Sequence, residues 1–507
     1  MGLLSQFETE SGPASHGYLL RIITAVPAFL LLRFIVSFTY NIYFHPLRKF
    51  PGSRLAAGTS LIHSYHHITG NEVTWTHREH EKYGDVVRLS PDSLSYINPE
   101  AWKDINGHRT GGRKENLKDD RFYQLEYNGQ RNLATEGDPN EHRRVRKIFS
   151  NAFSDKALRL QEDMIRGHVN KLVRNIKEGI TNDPAARLDI VKLYNCTTFD
   201  IMGYLTFGQS LGMLESSELT PWVKTVFASM KSGSIAHRLG SEYPIIGYLM
   251  KNFMPESVRE MQRAHFEHTV QRVDLRLEDD GNQKHPDIWS LVLNNGDEQL
   301  TVPKMHANAA MFMVAGTETT ATLLSGLTFL LLKNPDKMKK AIDEVRALAL
   351  EDLNLENLPR LSYMNACFEE GLRCYPPVPN GLPRVVPKGG NAICGEWIPE
   401  RTRVYVSSKA AFNSSSNFKD PESFVPERWL PNTGYGTDRK DVFQPFSHGP
   451  RNCLGKNLAY HEMRIILATV LWHFDLELCE ESNSWSDQKS YILWEKPELM
   501  VKARAVR

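Results

Sequence analysis

The 507-residue sequence is poor in cysteine, with only six. None lies in a C-x-x-C pair or at the short Cys/His spacings of a zinc site, so neither a disulfide scaffold nor a structural zinc module is expected. It also lacks an excess of either charge: 61 Lys and Arg stand against 60 Asp and Glu, a net of +1. A nucleic-acid-binding protein would normally carry a strongly basic surface, so that class is set aside, and any charged partner must meet a local patch. There is no internal repeat, no Gly/Ser or charged linker and no Gly-rich dinucleotide fingerprint. A chain of this size without linkers is expected to form one compact unit over residues 56–507, large enough to enclose a ligand site.

Long hydrophobic runs are scarce, with one exception near the N-terminus, YLLRIITAVPAFLLLRFIVSFTY at residues 18–40. A membrane span needs roughly 20 such residues. Arg21 lies near one end, where it can snorkel; Arg33 lies deeper, and Pro27 is tolerable in a membrane helix. A cleaved signal carries a shorter apolar core behind a basic start and ends in small residues, so an uncleaved single-pass anchor is the expectation. Glu8 and Glu10 precede the run and His45, Arg48, Lys49 and Arg54 follow it. That asymmetry puts residues 1–17 in the lumen and the chain beyond residue 40 in the cytosol. Residues 41–55, with Pro46, Pro51 and Gly52, are expected to leave the membrane as a stiff, extended elbow. The sequons at Asn195 and Asn413 should then carry no glycan.

Beyond the elbow, GDVVRLS and SLSYI alternate like a hairpin around Pro91-Asp92. Residues 141–180 and 187–270 are mainly helical in pattern. Thr301-Val-Pro303 opens a helix running to Lys333, with proline in its first turn and Asn334-Pro335 as its stop. About 30 residues at 1.5 Å rise make a rod of roughly 45 Å, long enough to cross a domain. Further helices fit 335–350, 362–375 and 456–474, and short strands fit 392–406 and the C-terminal region. The sum is a mainly α protein with a small β portion.

The most informative ten residues run Phe446-Ser-His-Gly449-Pro-Arg451-Asn-Cys453-Leu-Gly455. They match F-x-x-G-x-R-x-C-x-G, and the segment resembles the cysteine loop of haem-thiolate monooxygenases, the cytochrome P-450 superfamily. The residues themselves suit that chemistry. A lone cysteine binds iron only as thiolate, and a bare buried thiolate is costly. Two glycines let the backbone curl so that N–H groups face the sulfur and tune its charge. Cys453 also precedes the helix expected at 456–474, whose N-terminal dipole favours an anion. The resemblance makes Cys453 the axial ligand of haem b, gives Arg451 to a haem propionate and sets Phe446 over the sulfur side of the macrocycle. Without the resemblance, the segment is a Gly/Pro turn with an inert cysteine.

Three further motifs resemble the same family, in its order. Ala315-Gly316-Thr317-Glu318-Thr319-Thr320 is similar to the oxygen-activation segment. Small Ala315 and Gly316 would let haem and dioxygen approach the helix, and Thr319 would compete for the Ala315 carbonyl four residues back. Glu318 and Thr319 then form an acid–alcohol pair suited to proton relay. Glu370-Gly-Leu-Arg373 fits E-x-x-R on one helical face. With Pro426-Glu-Arg428-Trp429 it implies a buried network of Glu370, Arg373 and Arg428 whose role is structural. His142 and Arg146 match W-x-x-x-R with His in place of Trp, an i,i+4 pair expected over the propionates. Arg384, in LPRVV, resembles another propionate contact. Each of these basic residues is otherwise a solvated charge.

The resemblance covers essentially the whole chain, and 80 residues separate Arg373 from Cys453. It implies the triangular haem-thiolate fold, with a long central helix over the haem and an N-terminal anchor in the endoplasmic reticulum membrane. The implied activity is insertion of one atom of dioxygen into an apolar small molecule. Electrons would come from NADPH through a flavin reductase docked on the sulfur side, where Arg143, Arg144, Lys147 and Lys456 would form the basic patch. The wording around both His142 and Cys453 is similar to fungal microsomal members of the isotrichodermin C-15 hydroxylase type, which decorate terpenoids, polyketides or alkaloids. The substrate pocket is expected from 115–135, 225–250, the stretch before Ala315, Pro379–Pro383 and Tyr491–Trp494, with Phe312, Ala315 and Leu382 as walls. An isomerase or dehydratase working without outside electrons, and oxidative coupling or desaturation, remain open on the same fold.

Overall fold

The computed structural model describes residues 13–109, 113–183, 185–279, 285–293 and 300–507. Helices dominate, as the apolar periodicity predicts. The central helix, Val302–Lys333, starts at N-cap Thr301 with proline in its first turn and stops before Pro335. It is buried along most of its length and packs against the helix Ile190–Phe207. Around this pair lies the main apolar core, which takes in Phe149, Trp289, Phe368 and the helix Lys456–His473.

A five-stranded sheet forms the smaller layer. Its order is Val86–Ser90, Ser93–Tyr96, Arg403–Val406, Arg384–Val385 and Leu117–Lys118. The first two strands make the expected hairpin. The second and third run parallel, and the last two are antiparallel with Lys118 directly opposite Arg384. Two like charges at one cross-strand position repel, which the site below explains. The strands expected at 392–406 are Asn391–Ile393, Glu396–Ile398 and Arg403–Val406, and the C-terminal strand is Met500–Ala505.

At the N-terminus a helix runs from Pro13 to Tyr43, longer than the apolar run at its C-terminal end. Residues 1–12 and the side chains up to residue 23, Arg21 included, lie outside the described residues. Its segment Thr24–Tyr43 has mean hydropathy 1.6 and none of it is buried, so among the described residues it is the one helix long and apolar enough to cross a membrane. The elbow differs from expectation. Pro46–Lys49 is a 3-10 turn in which the Leu47 N–H donates to His45 Nδ1 at 3.1 Å, and Arg54–Gly58 is helical. Proline suits the first turn of a helix, because its missing N–H is one that the turn leaves unpaired. The junction is also fastened: Arg88 Nη1 donates to Asn41 O at 2.9 Å, and Asn41 Nδ2 donates to Gly58 O at 2.9 Å. Farther along, the helix Pro244–Phe253 buries no residue and exposes Ile245, Tyr248, Leu249 and Phe253.

Candidate active site

The loop that carries Cys453 is held from both ends. The Cys453 N–H donates to Phe446 O at 2.9 Å, closing the turn. Gly449 has φ +79°, and a Cβ there would sit 2.0 Å from Asn106 O, so both the backbone and the close approach require glycine. Gly455 needs no such freedom. Its φ is −84° and a Cβ would meet only the Phe153 ring at 3.8 Å; its contribution is an N–H beside the sulfur. The thiol is accessible on one side yet set deep in the fold. Burial pushes it up, while the Gly455 N–H, Arg146 and Lys456 favour the thiolate. The Phe446 ring lies 5.1 Å from Tyr460, with Lys456 Nζ 5.8 Å from its centroid.

Arg146 bonds into the cysteine loop. Its Nη1 donates to Asn452 O at 2.7 Å and its Nη2 to Asn452 Oδ1 at 2.6 Å. The guanidinium clamps the residue before Cys453 through both terminal nitrogens, a bidentate fit to an amide side chain and its own carbonyl. His142 lies one turn earlier on the same helix. It is buried, and burial followed by Arg451, Lys118, Arg146 and Arg384 pulls its pKa down to about 3. It is a neutral imidazole with one N–H to give, not a cation.

The cations that remain form a group without acids. Arg451 donates to two backbone carbonyls, Glu136 O at 2.5 Å and Gly137 O at 3.1 Å. Arg384 is 3% exposed; its Nε reaches Asn106 Oδ1 at 3.3 Å and its Nη1 has no partner. Lys118, opposite Arg384 in the sheet, stands over the Tyr123 ring at 3.9 Å, and the buried Tyr123 hydroxyl also lacks a partner. Burial, then Arg384 and Arg451, holds Lys118 well below the ordinary lysine range. Among the described residues no carboxylate forms an ion pair with Lys118, Arg384 or Arg451; Glu115 and Glu136 act only at longer range. Two buried cations and a half-buried third left this way are costly unless an anion sits among them. That arrangement fits a dianionic edge such as the two propionates of haem. Lys118 and Tyr123 were not legible in the sequence, since two residues of strand carry no motif.

On the central helix, Thr319 Oγ1 donates to Ala315 O at 2.7 Å, the predicted i−4 bond. Ala315 is exposed although the helix around it is buried, and Thr319 lies on the same strip. Gly316 faces elsewhere: a Cβ there would lie 2.7 Å from Met202 Sδ. One residue turns the helix by about 100°, so the small residue at 316 lets two helices meet, and only Ala315 is on the open side. Glu318 is buried and ion-paired with Lys496, which also donates to Thr322 Oγ1 at 2.8 Å; Glu318 Oε2 has no partner. Phe312, expected as a pocket wall, packs edge-on to Phe149 at 4.9 Å and near Phe153 at 5.4 Å, in the core. Leu382 is half-buried.

The third group is structural. Glu370 Oε1 accepts from Arg373 Nη2 at 2.8 Å and from Arg428 Nε at 3.0 Å, and Oε2 accepts from Trp429 Nε1 at 2.9 Å. Asp438, absent from the sequence motifs, pairs with Arg428 at 2.6 Å.

A solitary sulfur on a tight turn ahead of one helix, a small-residue strip on a second, and unneutralised cations beside them define a haem-thiolate protein. The comparisons with known proteins place it further. The Cytochrome P-450 family model matches residues 58–503, and the chain belongs to the cytochrome P-450 family. It is 48% identical over 472 residues to cytochrome P-450 monooxygenase FUM2 of Gibberella moniliformis, covering 92% of this chain and 100% of that one. It is 47% identical to cytochrome P-450 monooxygenase AMT3 of Alternaria alternata, over 94% of this chain and 98% of the relative. To cytochrome P-450 monooxygenase efuB of Hormonema carpetanum it is 46% identical, over 92% and 93%. The chain is a haem-dependent oxidoreductase of the monooxygenase class.

Proposed function

We propose that this chain is a membrane-anchored monooxygenase of fungal secondary metabolism, inserting one atom of dioxygen into an apolar terpenoid, polyketide or alkaloid. Haem b held by the Cys453 thiolate supplies the reductive scission of dioxygen. Lys118, Arg384 and Arg451 receive its propionates, with His142 as a neutral donor beside them. Arg146 fixes Asn452 and so the approach of the sulfur; Phe446 and Gly449 complete that loop, and Glu370, Arg373 and Arg428 brace it from behind.

Proton supply falls to two residues of the central helix. Thr319 Oγ1 donates its hydrogen to Ala315 O, so its lone pairs are free to accept a hydrogen bond and hold a proton-bearing group in place on the open side of the helix. Glu318 is held by Lys496 on Oε1, which leaves Oε2 as the oxygen free to accept a hydrogen bond. Retention of this pair favours dioxygen chemistry over rearrangement without outside electrons. The electrons come from NADPH through a flavin reductase that docks on the exposed side chains of Arg143, Lys147 and Lys456. The N-terminal helix anchors the protein in the endoplasmic reticulum with its catalytic unit in the cytosol, and the exposed apolar side chains of Pro244–Phe253 rest on the same bilayer.

The observation that carries this reading is the group of unneutralised cations next to the Cys453 loop, two of them buried. The test is spectroscopic. Cys453→Ala should abolish the thiolate-type spectrum of the ferrous carbon monoxide complex, and product formation by the unaltered protein should need both reductase and NADPH. A Cys453→Ala protein that keeps the thiolate spectrum overturns the reading.

A further inference from the structure

A cavity of about 80 Å³ lies between the sheet, the helix Leu61–Ile68 and the helix Pro221–Glu242. Its wall draws residues from four of the five stretches expected to line the substrate pocket: Phe122, His237, Gly381 and Ile492 represent them. On the monooxygenase reading those stretches line the substrate's path, and the cavity belongs to it. The volume suits a few water molecules or one end of a larger molecule, not a whole terpenoid or polyketide.

The wall is unusual in what it leaves unpaired. Ser93 Oγ, His63 Nδ1, His237 Nε2, Arg238 Nη2 and Arg403 Nε are all buried side-chain atoms without a hydrogen-bond partner, and all five residues line this one cavity. Buried polar atoms are nearly always paired, so such a concentration marks a place where a ligand supplies the partners. Their roles can be assigned. His63 Nε2 is 2.9 Å from Glu72 Oε1, and an imidazole that donates to a carboxylate through Nε2 has a lone pair at Nδ1. Arg238 and Arg403 present N–H donors. Charge is already balanced around them: Arg403 pairs with Asp92 at 2.9 Å and with Glu242, Arg121 pairs with Asp92 at 2.8 Å, and Glu72 lies between His63 and His67. An anion would add a charge that the cavity does not lack, and would set it against the His63 lone pair. A hydrocarbon end would leave every one of these atoms unpaired. A hydroxyl, which accepts through oxygen and donates through hydrogen, matches donors and acceptors together.

We infer that the cavity holds a hydroxyl group on the end of the substrate remote from the oxidised carbon. The substrate is then already oxygenated when it arrives, and a hydroxylating or carbonyl-reducing step precedes this enzyme. This inference rests on the monooxygenase reading above.

The full-length protein is titrated in its ferric form with 1-hexadecanol, hexadecane and palmitate, following the change of haem spin state on binding. The ferrous carbon monoxide spectrum is recorded first; without a thiolate-type signal the monooxygenase reading itself fails, before this cavity is tested. Given that signal, the alcohol should bind about tenfold or more tightly than the alkane, and more tightly than the acid. His237→Phe and Arg238→Met should each remove most of that preference while keeping the carbon monoxide spectrum and the affinity for hexadecane. Equal binding of alcohol and alkane overturns the inference and leaves the cavity to water. Preferential binding of palmitate overturns it in favour of an anion site. A preference for alcohol that survives both substitutions overturns the placement in this cavity.

Discussion

Arg428 Nε lies 3.0 Å from Glu370 Oε1, and neither side chain has any exposure to solvent. The same carboxylate holds Arg373 at 2.8 Å and accepts the Val425 N–H at 2.8 Å, so it ties the helix Ser362–Cys374 to the segment leading toward the cysteine loop. Glu370→Gln keeps the shape and removes the charge that two buried guanidiniums share. A destabilisation of about 3–5 kcal/mol is expected, since unpaired buried charges are what make such losses large. Thermal unfolding of the purified variant, with its haem content, measures it; an unchanged midpoint would show that Asp438 alone suffices for Arg428.

The basic group beside Cys453 predicts two different phenotypes. On the proposed reading Lys118 serves the propionates, so Lys118→Met should speed haem transfer to an apo-globin trap several-fold, with the carbon monoxide spectrum unchanged. Arg146→Met frees Asn452 and should instead raise the fraction of non-thiolate spectrum at normal haem content. The same phenotype in both variants would mean that the two cations share one role.

Thr319→Ala should leave haem content and substrate-induced spin shift intact while sending electrons to peroxide, read as NADPH consumed against product and peroxide formed. Lys496→Met withdraws the partner of Glu318 and should lower product per NADPH too, with a loss of stability that Thr319→Ala does not share. Coupling equal to that of the unaltered protein in Thr319→Ala would remove its hydroxyl from proton delivery.

Stability should fall as pH drops from about 6.5 toward 4. Burial pulls His63, His80 and His461 each down to about 4, so below 6.5 the unfolded chain binds protons that the folded one refuses. Glu462 acts in the opposite sense. Burial raises it to about 8, so its contribution is full below about 4.5 and is lost as pH rises through 8. Three groups outweigh one between 4.5 and 6.5. Thermal midpoints at pH 7 and pH 5 give the sign, and Glu462→Gln should gain stability relative to the unaltered protein at pH 8 but not at pH 5.

Much of this protein is legible in its sequence. The start and stop of the central helix, the hairpin around Pro91, and the chemistry of the Cys453 loop follow from local rules: proline in a first turn, period-two alternation, glycine at a left-handed turn. The E-x-x-R pair is legible because its spacing of three residues is itself a helical contact. Expectation and fold diverge where local pattern and long-range contact part. The proline-rich elbow is a 3-10 turn and a short helix, because Arg88 and Asn41 dock it on the sheet. Gly316, expected on the haem side, faces Met202, since which side of a buried helix is open depends on its neighbours.

The sequence alone determined the kinds of groups available and their order: one sulfur placed for an anion, an acid and an alcohol on one helix, basic residues spread from 142 to 451. Only the tertiary structure decided which of those bases meet which partners. Arg146 spends its guanidinium on Asn452, 306 residues away, and Lys496 reaches Glu318 across 178. Lys118 gained its place by lying opposite Arg384 in a sheet of distant strands. A residue's own neighbours in sequence set its backbone, but charge pairing acts through space, and the folded packing of helices and sheet sets those distances.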